Sequence, residues 1–91
     1  MDVELGKEQI IEHLKDLMVR HGIDSTELVF HWDDKTLLSR WILQIFRGPT
    51  AHALRFFASD VQSWGESPET AQRYAVSIRA VLEKLKAESR D

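Results

Sequence analysis

Apolar residues recur at helical spacing in four stretches of the chain, and each stretch carries punctuation at its ends. The first runs from about Val3 to His21, with Ile10, Leu14, Leu17, Met18 and His21 on one stripe. Gly22 follows where a left-handed C-cap is wanted. Leu37, Leu38, Trp41, Ile42, Ile45 and Phe46 predict a helix from Lys35 to Arg47, capped by Asp33 or Asp34 and stopped by Gly48-Pro49. Thr50 then predicts a helix through Trp64, burying Leu54, Phe57, Ala58, Val61 and Trp64 before Gly65 ends it. Ser67-Pro68-Glu69-Thr70 is the clearest helix start: an N-cap serine, proline at the first helical position, and acids or hydroxyls in the first turn. That last helix is predicted to reach about Ala87, burying Ala71, Tyr74, Ala75, Ile78, Val81, Leu82 and Leu85.

Between the first two helices, Asp24-Ser25-Thr26-Glu27 reads as a capping-box variant leading into Leu28, Val29, Phe30 and Trp32. This piece is too short to classify; a turn or two of helix is preferred, with a short strand through Leu28–Trp32 as the alternative. The expected fold class is all-α: a single compact domain over residues 1–91, with four to five helices and a helix-turn-helix-like C-terminal half.

Length and composition agree with one small core. Ninety-one residues, 43% hydrophobic, with three Trp and four Phe, can fold without staples. With no Cys, disulfides and thiolate chemistry are excluded, and a reducing cytoplasm is the expected compartment. The N-terminal residues show neither a basic nor an apolar region of a signal peptide, and no apolar stretch approaches a membrane span.

The charge is unevenly placed. The formal net charge is -3, yet from Lys35 to Ser59 there is no Asp or Glu, while Lys35, Arg40, Arg47 and Arg55 are cationic with His52 beside them. The surface should therefore have two electrostatic faces, one of which steers an anionic partner.

Candidate chemistry is sparse. His13, His21, His31 and His52 form no pair at i, i+3 or i, i+4, so no metal site is expected. His31 with Asp33 and Asp34 is the nearest approach to one, but those carboxylates are wanted as helix caps. No P-loop, nucleophile elbow or H-E-x-x-H occurs, so neither an enzyme nor a cofactor is expected.

Two constellations point to binding. Val61-x-x-x-Gly65-x-Ser67-x-x-Thr70-Ala71-x-Arg73-Tyr74 has the small contact residues, tight turn and serine cap that two steeply crossing helices need. This stretch, continued through Ser77-Ile-Arg-Ala-Val-Leu, resembles the helix-turn-helix of transcriptional activators. It is also similar to the core-binding helical domain of tyrosine recombinases. Either resemblance covers about residues 57–86 and implies duplex DNA as a partner, contacted through Ser67, Gln72, Arg73 and Ser77. No catalytic domain accompanies the recombinase-like stretch, so strand cutting is not implied.

The second constellation lies on the predicted helix from Thr50, where His52, Arg55, Ser59 and Gln62 share a polar face with Phe56 at its border. Arg beside an exposed aromatic suits a protein hot spot, and also a nucleic-acid stacking site. Together with Arg40 and Arg47 these residues make a candidate docking surface for an acidic protein partner. Phe56 could equally pack inside the fold.

Two functions thus suit a non-enzymatic regulatory protein, and the DNA-linked one is preferred. One is DNA-linked, as a helix-turn-helix-like DNA-binding protein or an accessory of transcription or recombination. The other is a protein–protein adaptor or inhibitor. The sequence pI near 5.8 favours the second, and the motif favours the first. Three tryptophans also leave room for one at a homodimer interface.

Overall fold

A computed structural model of the protein describes residues 3–37 and 40–88. It corrects the all-α, helical-bundle expectation. The chain is α+β, a three-stranded antiparallel sheet with all its helices on one face. Helix α1 (Val3–Arg20) leads through a 3-10 turn (Ser25–Glu27) to strands β1 (Val29–Leu37), β2 (Arg40–Arg47) and β3 (Thr50–Phe57). Helices α2 (Ala58–Gln62), α3 (Pro68–Arg73) and α4 (Ala75–Glu88) follow. The strands lie in the order β1-β2-β3, so β2 is central and both outer strands have an open edge.

Helix α1 follows its pattern. Ile10, Leu14 and Met18 are buried, and Gly22 leaves the helix with φ of 72°. Asp24 then accepts hydrogen bonds from the Thr26 hydroxyl and backbone N–H, which hold its carboxyl below the usual carboxylate range. The ambiguous segment resolves into both of its readings: one 3-10 turn, then strand from Val29.

Among the described residues, the helix predicted at Lys35–Arg47 is instead strand, and of the one predicted at Thr50–Trp64 the part Thr50–Phe57 is strand β3 and only Ala58–Gln62 is helical. In β2 the spacing of Trp41, Ile42, Ile45 and Phe46 mimics a helix because apolar residues stand on both faces of the strand. Leu43 and Ile45 point to the core with Trp41, while Ile42 and Phe46 take the other side. Aromatic and β-branched residues suit a pleated surface. Gly48-Pro49, expected to stop a helix, is the two-residue loop of a hairpin whose flanking pair is Arg47 and Thr50. Gly48 has φ of 55°, and proline fixes a negative φ after it, the combination of a type II′ turn. Leu38, assigned to the core of the predicted helix, lies outside the described residues.

The last predicted helix is divided. Ser67 caps α3 as expected, accepting from the Glu69 N–H at 3.3 Å, but the helix turns at Tyr74 before α4 begins. Ala75, expected to be buried, is exposed.

One core joins the layers. Ile10, Leu14 and Met18 of α1 meet Leu43, Ile45, Leu54 and Phe56 of the sheet and Ile78, Val81, Leu82 and Leu85 of α4. Gly6 allows the closest approach: a Cβ there would lie 1.8 Å from the Val61 carbonyl oxygen of α2. Among the described residues no helix is long and apolar enough to cross a membrane.

Candidate binding surface

With every helix on one side, the opposite face of the sheet is open. Its side chains follow from the register. Val29, Phe46 and Ala51 form one row across the strands, then His31, Gln44 and Ala53, then Asp33, Ile42 and Arg55, and last Arg40 beside Phe57. Val29 is 62% exposed and Phe57 50%, while His31, Arg40, Ala51, Ala53 and Arg55 are all exposed. The Arg40 guanidinium carbon stands 5.0 Å from the centre of the Phe57 ring. That stacking holds an aromatic and a cation in one geometry before any partner arrives.

The structure carries out only part of the charge separation expected from sequence: Arg40 and Arg55 reach the open face, whereas Arg47 and His52 turn to the helix side. The acid-free stretch supplies β2, β3 and the turn between them, whereas Glu8, Glu12 and Asp16 are exposed on α1, behind the sheet. Asp33 is the acidic group on the open face among the residues whose side chains are described.

The candidate residues read from sequence fall in different places. Arg40 and Arg55 share the open face, but Phe56 does not. It is 1% exposed and packs against Trp32, Trp64 and Tyr74 with ring centres 4.8 to 5.8 Å away. Arg47 and His52 point to the helix side. Arg47 Nη1 donates to the Leu85 carbonyl at 2.7 Å, and His52 Nε2 lies 2.8 Å from Glu88 Oε1. These two fasten the hairpin's turn end to the last turn of α4. Ser59 is exposed on α2.

The DNA candidates are also dispersed. Ser67 is occupied in capping α3, and Arg73 Nη1 donates to Asp60 Oδ1 at 3.1 Å. Gln72 borders a groove of about 250 Å³ between α1, α3 and α4, together with His13, His21 and Arg79. Ser77 borders another, between α4 and β3.

Sequence reasoning missed two groups. The first is Phe57, Gln44 and His31 on the open face; alternation along strands would have found them, but β2 conceals it by being apolar on both sides. The second is a polar junction at the end of β3. The Asp60 carboxylate, 7% exposed as a residue, receives the Tyr74 hydroxyl and Arg73, while the Tyr74 oxygen accepts the Phe57 N–H at 3.1 Å. Burial and the hydrogen bond to Asp60 push the Tyr74 phenol up to about 12. On the helix side Lys7 is buried, its ammonium 3.6 Å from the centre of the Trp41 ring and 5.9 Å from Trp32.

The Tyr74–Asp60 pair is locked between elements and holds the phenol in its neutral form. Among the described residues, no three or more His, Asp or Glu side chains are placed to hold a metal ion. No protein-family model matches the chain, and neither the curated proteins nor the solved structures give a match.

Proposed function

We propose that the chain is a non-enzymatic regulatory binding module that docks the open face of its sheet on an acidic protein partner. The observation that carries this reading is the Arg40–Phe57 stack on a face shared with Arg55, Val29, Ile42 and Phe46. Arginine and aromatic residues dominate the energetics of protein interfaces, and Ile42 in the adjacent row adds apolar contact beside them.

Duplex DNA is the second reading. Gln44, in mid-strand beside His31 and one row from Arg55, favours it, because a side-chain amide on a sheet face can read adenine in the major groove. The charge count works against it. Two guanidinium groups neutralise about two phosphates, a salt slope near -2, where stable complexes use about six to ten contacts.

One experiment separates the readings. A photo-crosslinking amino acid is placed at Gln44, with Glu12 on α1 as the control position, and irradiated in the native cell. A protease-sensitive adduct at Gln44 that disappears with Arg40→Glu and Arg55→Glu is expected. A nuclease-sensitive adduct would establish the DNA reading in its place. Equal, weak adducts at both positions would overturn the assignment of this face.

A further inference from the structure

The open face is too small to hold a partner alone. Strands of eight residues at ~3.4 Å per residue, three abreast at ~4.8 Å, cover on the order of 400 Å². A stable interface needs about 800 Å² on each side. The contact must therefore continue beyond the face, and the edge of β3 offers a continuous extension at Ala53 and Arg55, beside the groove against α4.

We propose that an extended acidic segment of the partner adds to the free edge of β3 as a fourth strand. This rests on the protein-partner reading above and names what the partner presents.

The turn geometry fixes which backbone groups are available. Arg47 and Thr50 flank a two-residue loop and form its first hydrogen-bonded pair. Thr50, His52, Leu54 and Phe56 therefore turn their N–H and C=O groups toward β2. Ala51, Ala53, Arg55 and Phe57 turn theirs to the outer edge. Phe57 follows this rule, since its N–H is taken from that side by the Tyr74 hydroxyl at 3.1 Å. Among the described residues no backbone hydrogen bond from outside the sheet reaches Ala51, Ala53 or Arg55. Three successive open N–H and C=O pairs form a template for another strand. Two of the three residues are alanines, whose side chains obstruct nothing.

Helix α4 supplies the floor of this edge. A groove of about 380 Å³ runs between Ala53, Leu54 and Arg55 on one side and Ser77, Ala80 and Lys84 on the other. Ser77 and Ala80, one turn apart, leave room for a strand to lie against the helix. Arg55 and Lys84 are exposed and, among the described residues, engaged in no ion pair. Two cations beside an unfilled strand position select carboxylates. A second copy of this chain suits the site poorly, because pairing β3 with β3 would crowd two Arg55 and two Lys84 along one seam.

The test uses the isotope-labelled protein and an end-capped heptapeptide of alternating glutamate and valine. Shifts at Ala51, Ala53 and Arg55 are expected, with amide exchange there slowed at least tenfold at saturation. Lysine in place of glutamate in the peptide should abolish binding, as should N-methylation of its alternate amides. Lys84→Glu should weaken it at least fivefold. Ala53→Pro, at an N–H that faces outward and so lies outside the ladder, should keep the far-UV spectrum and lose the peptide. Exchange slowed by the lysine peptide as well would overturn the acidic preference. Protein-concentration-dependent protection without peptide would overturn the proposal in favour of a second copy. Shifts at His31 and Gln44 without protection on β3 would overturn strand addition while leaving the docking face intact. No shift anywhere would overturn strand addition, and the crosslink at Gln44 then decides the docking face independently.

Discussion

Replacing Tyr74 by Phe removes one oxygen from a junction where three elements meet. The Tyr74 hydroxyl donates to the buried Asp60 carboxylate of α2 and accepts the N–H of Phe57 at the end of β3. The ring stays, still packed on Phe56 and Trp64, so the transfer energy of the aromatic surface is kept. What is lost is a hydrogen bond to a charged acceptor, worth about 1.5–3 kcal/mol, and the partner of one backbone donor. Phe57 is half exposed, so water replaces much of the second loss. Arg73 still bonds the other Asp60 oxygen, but from an exposed position that adds little. The expected cost is therefore about 2–3 kcal/mol at neutral pH, measured as a lower urea midpoint by circular dichroism with the slope unchanged. A pH arm isolates the oxygen. The folded phenol is raised to about 12 against 10 in the unfolded chain, so its contribution is complete below pH 10 and is lost as pH rises from 10 to about 12. Tyr74 is the only tyrosine, so the difference between wild type and variant across that window reports it alone. A loss under ~0.5 kcal/mol, or an identical alkaline decline in both proteins, would refute the buried junction.

Phe56→Ala should destabilise the domain by about 3–5 kcal/mol, a core aromatic deletion; a stable variant with weakened partner binding would put Phe56 back on the surface. Gly6→Ala should cost several kcal/mol in a denaturation experiment, although alanine in an open helix normally gains up to about 1 kcal/mol over glycine. The sign reverses because the new methyl meets the Val61 carbonyl, and a neutral or stabilising result would show that α1 and α2 can separate. Arg40→Glu and Arg55→Glu should move stability by less than ~0.5 kcal/mol while slowing partner association in a salt-dependent way. Full binding by the double variant would remove the open face from consideration.

The elements that sequence made legible are those with local chemistry at their ends. Helix α1 ends at Gly22 because a positive φ is needed there, and α3 begins at Ser67-Pro68 because both residues satisfy helix-start geometry without help from the rest of the fold. The sheet was illegible for a different reason. Trp41, Ile42, Ile45 and Phe46 fit a helical stripe only because Ile42 and Phe46 occupy the open face, so the residues that make that face apolar also erased the alternation that would have revealed it. The stronger clue was two aromatic and aliphatic runs separated by two residues, Gly48-Pro49, which closes a hairpin as readily as it stops a helix. Among site residues, Arg40 and Arg55 were legible through charge alone. Phe56 and Phe57 differ by one position, and on a strand that places one in the core and the other on the open face. The junction of Asp60 and Tyr74 is a contact across 14 positions, which no local pattern encodes.

The three indoles all belong to the helix side of the sheet. Trp41 carries the Lys7 ammonium over its ring, Trp32 packs on Phe56, and Trp64 lies between His13 and Tyr74. Intrinsic fluorescence therefore observes how the helices sit on the sheet and is blind to what lands on the other side. A partner that merely touches the open face leaves the emission spectrum where it was. One that changes it has bent the sheet or shifted α1 against it, and the chain thereby serves as its own strain gauge, separating rigid docking from remodelling without any added label.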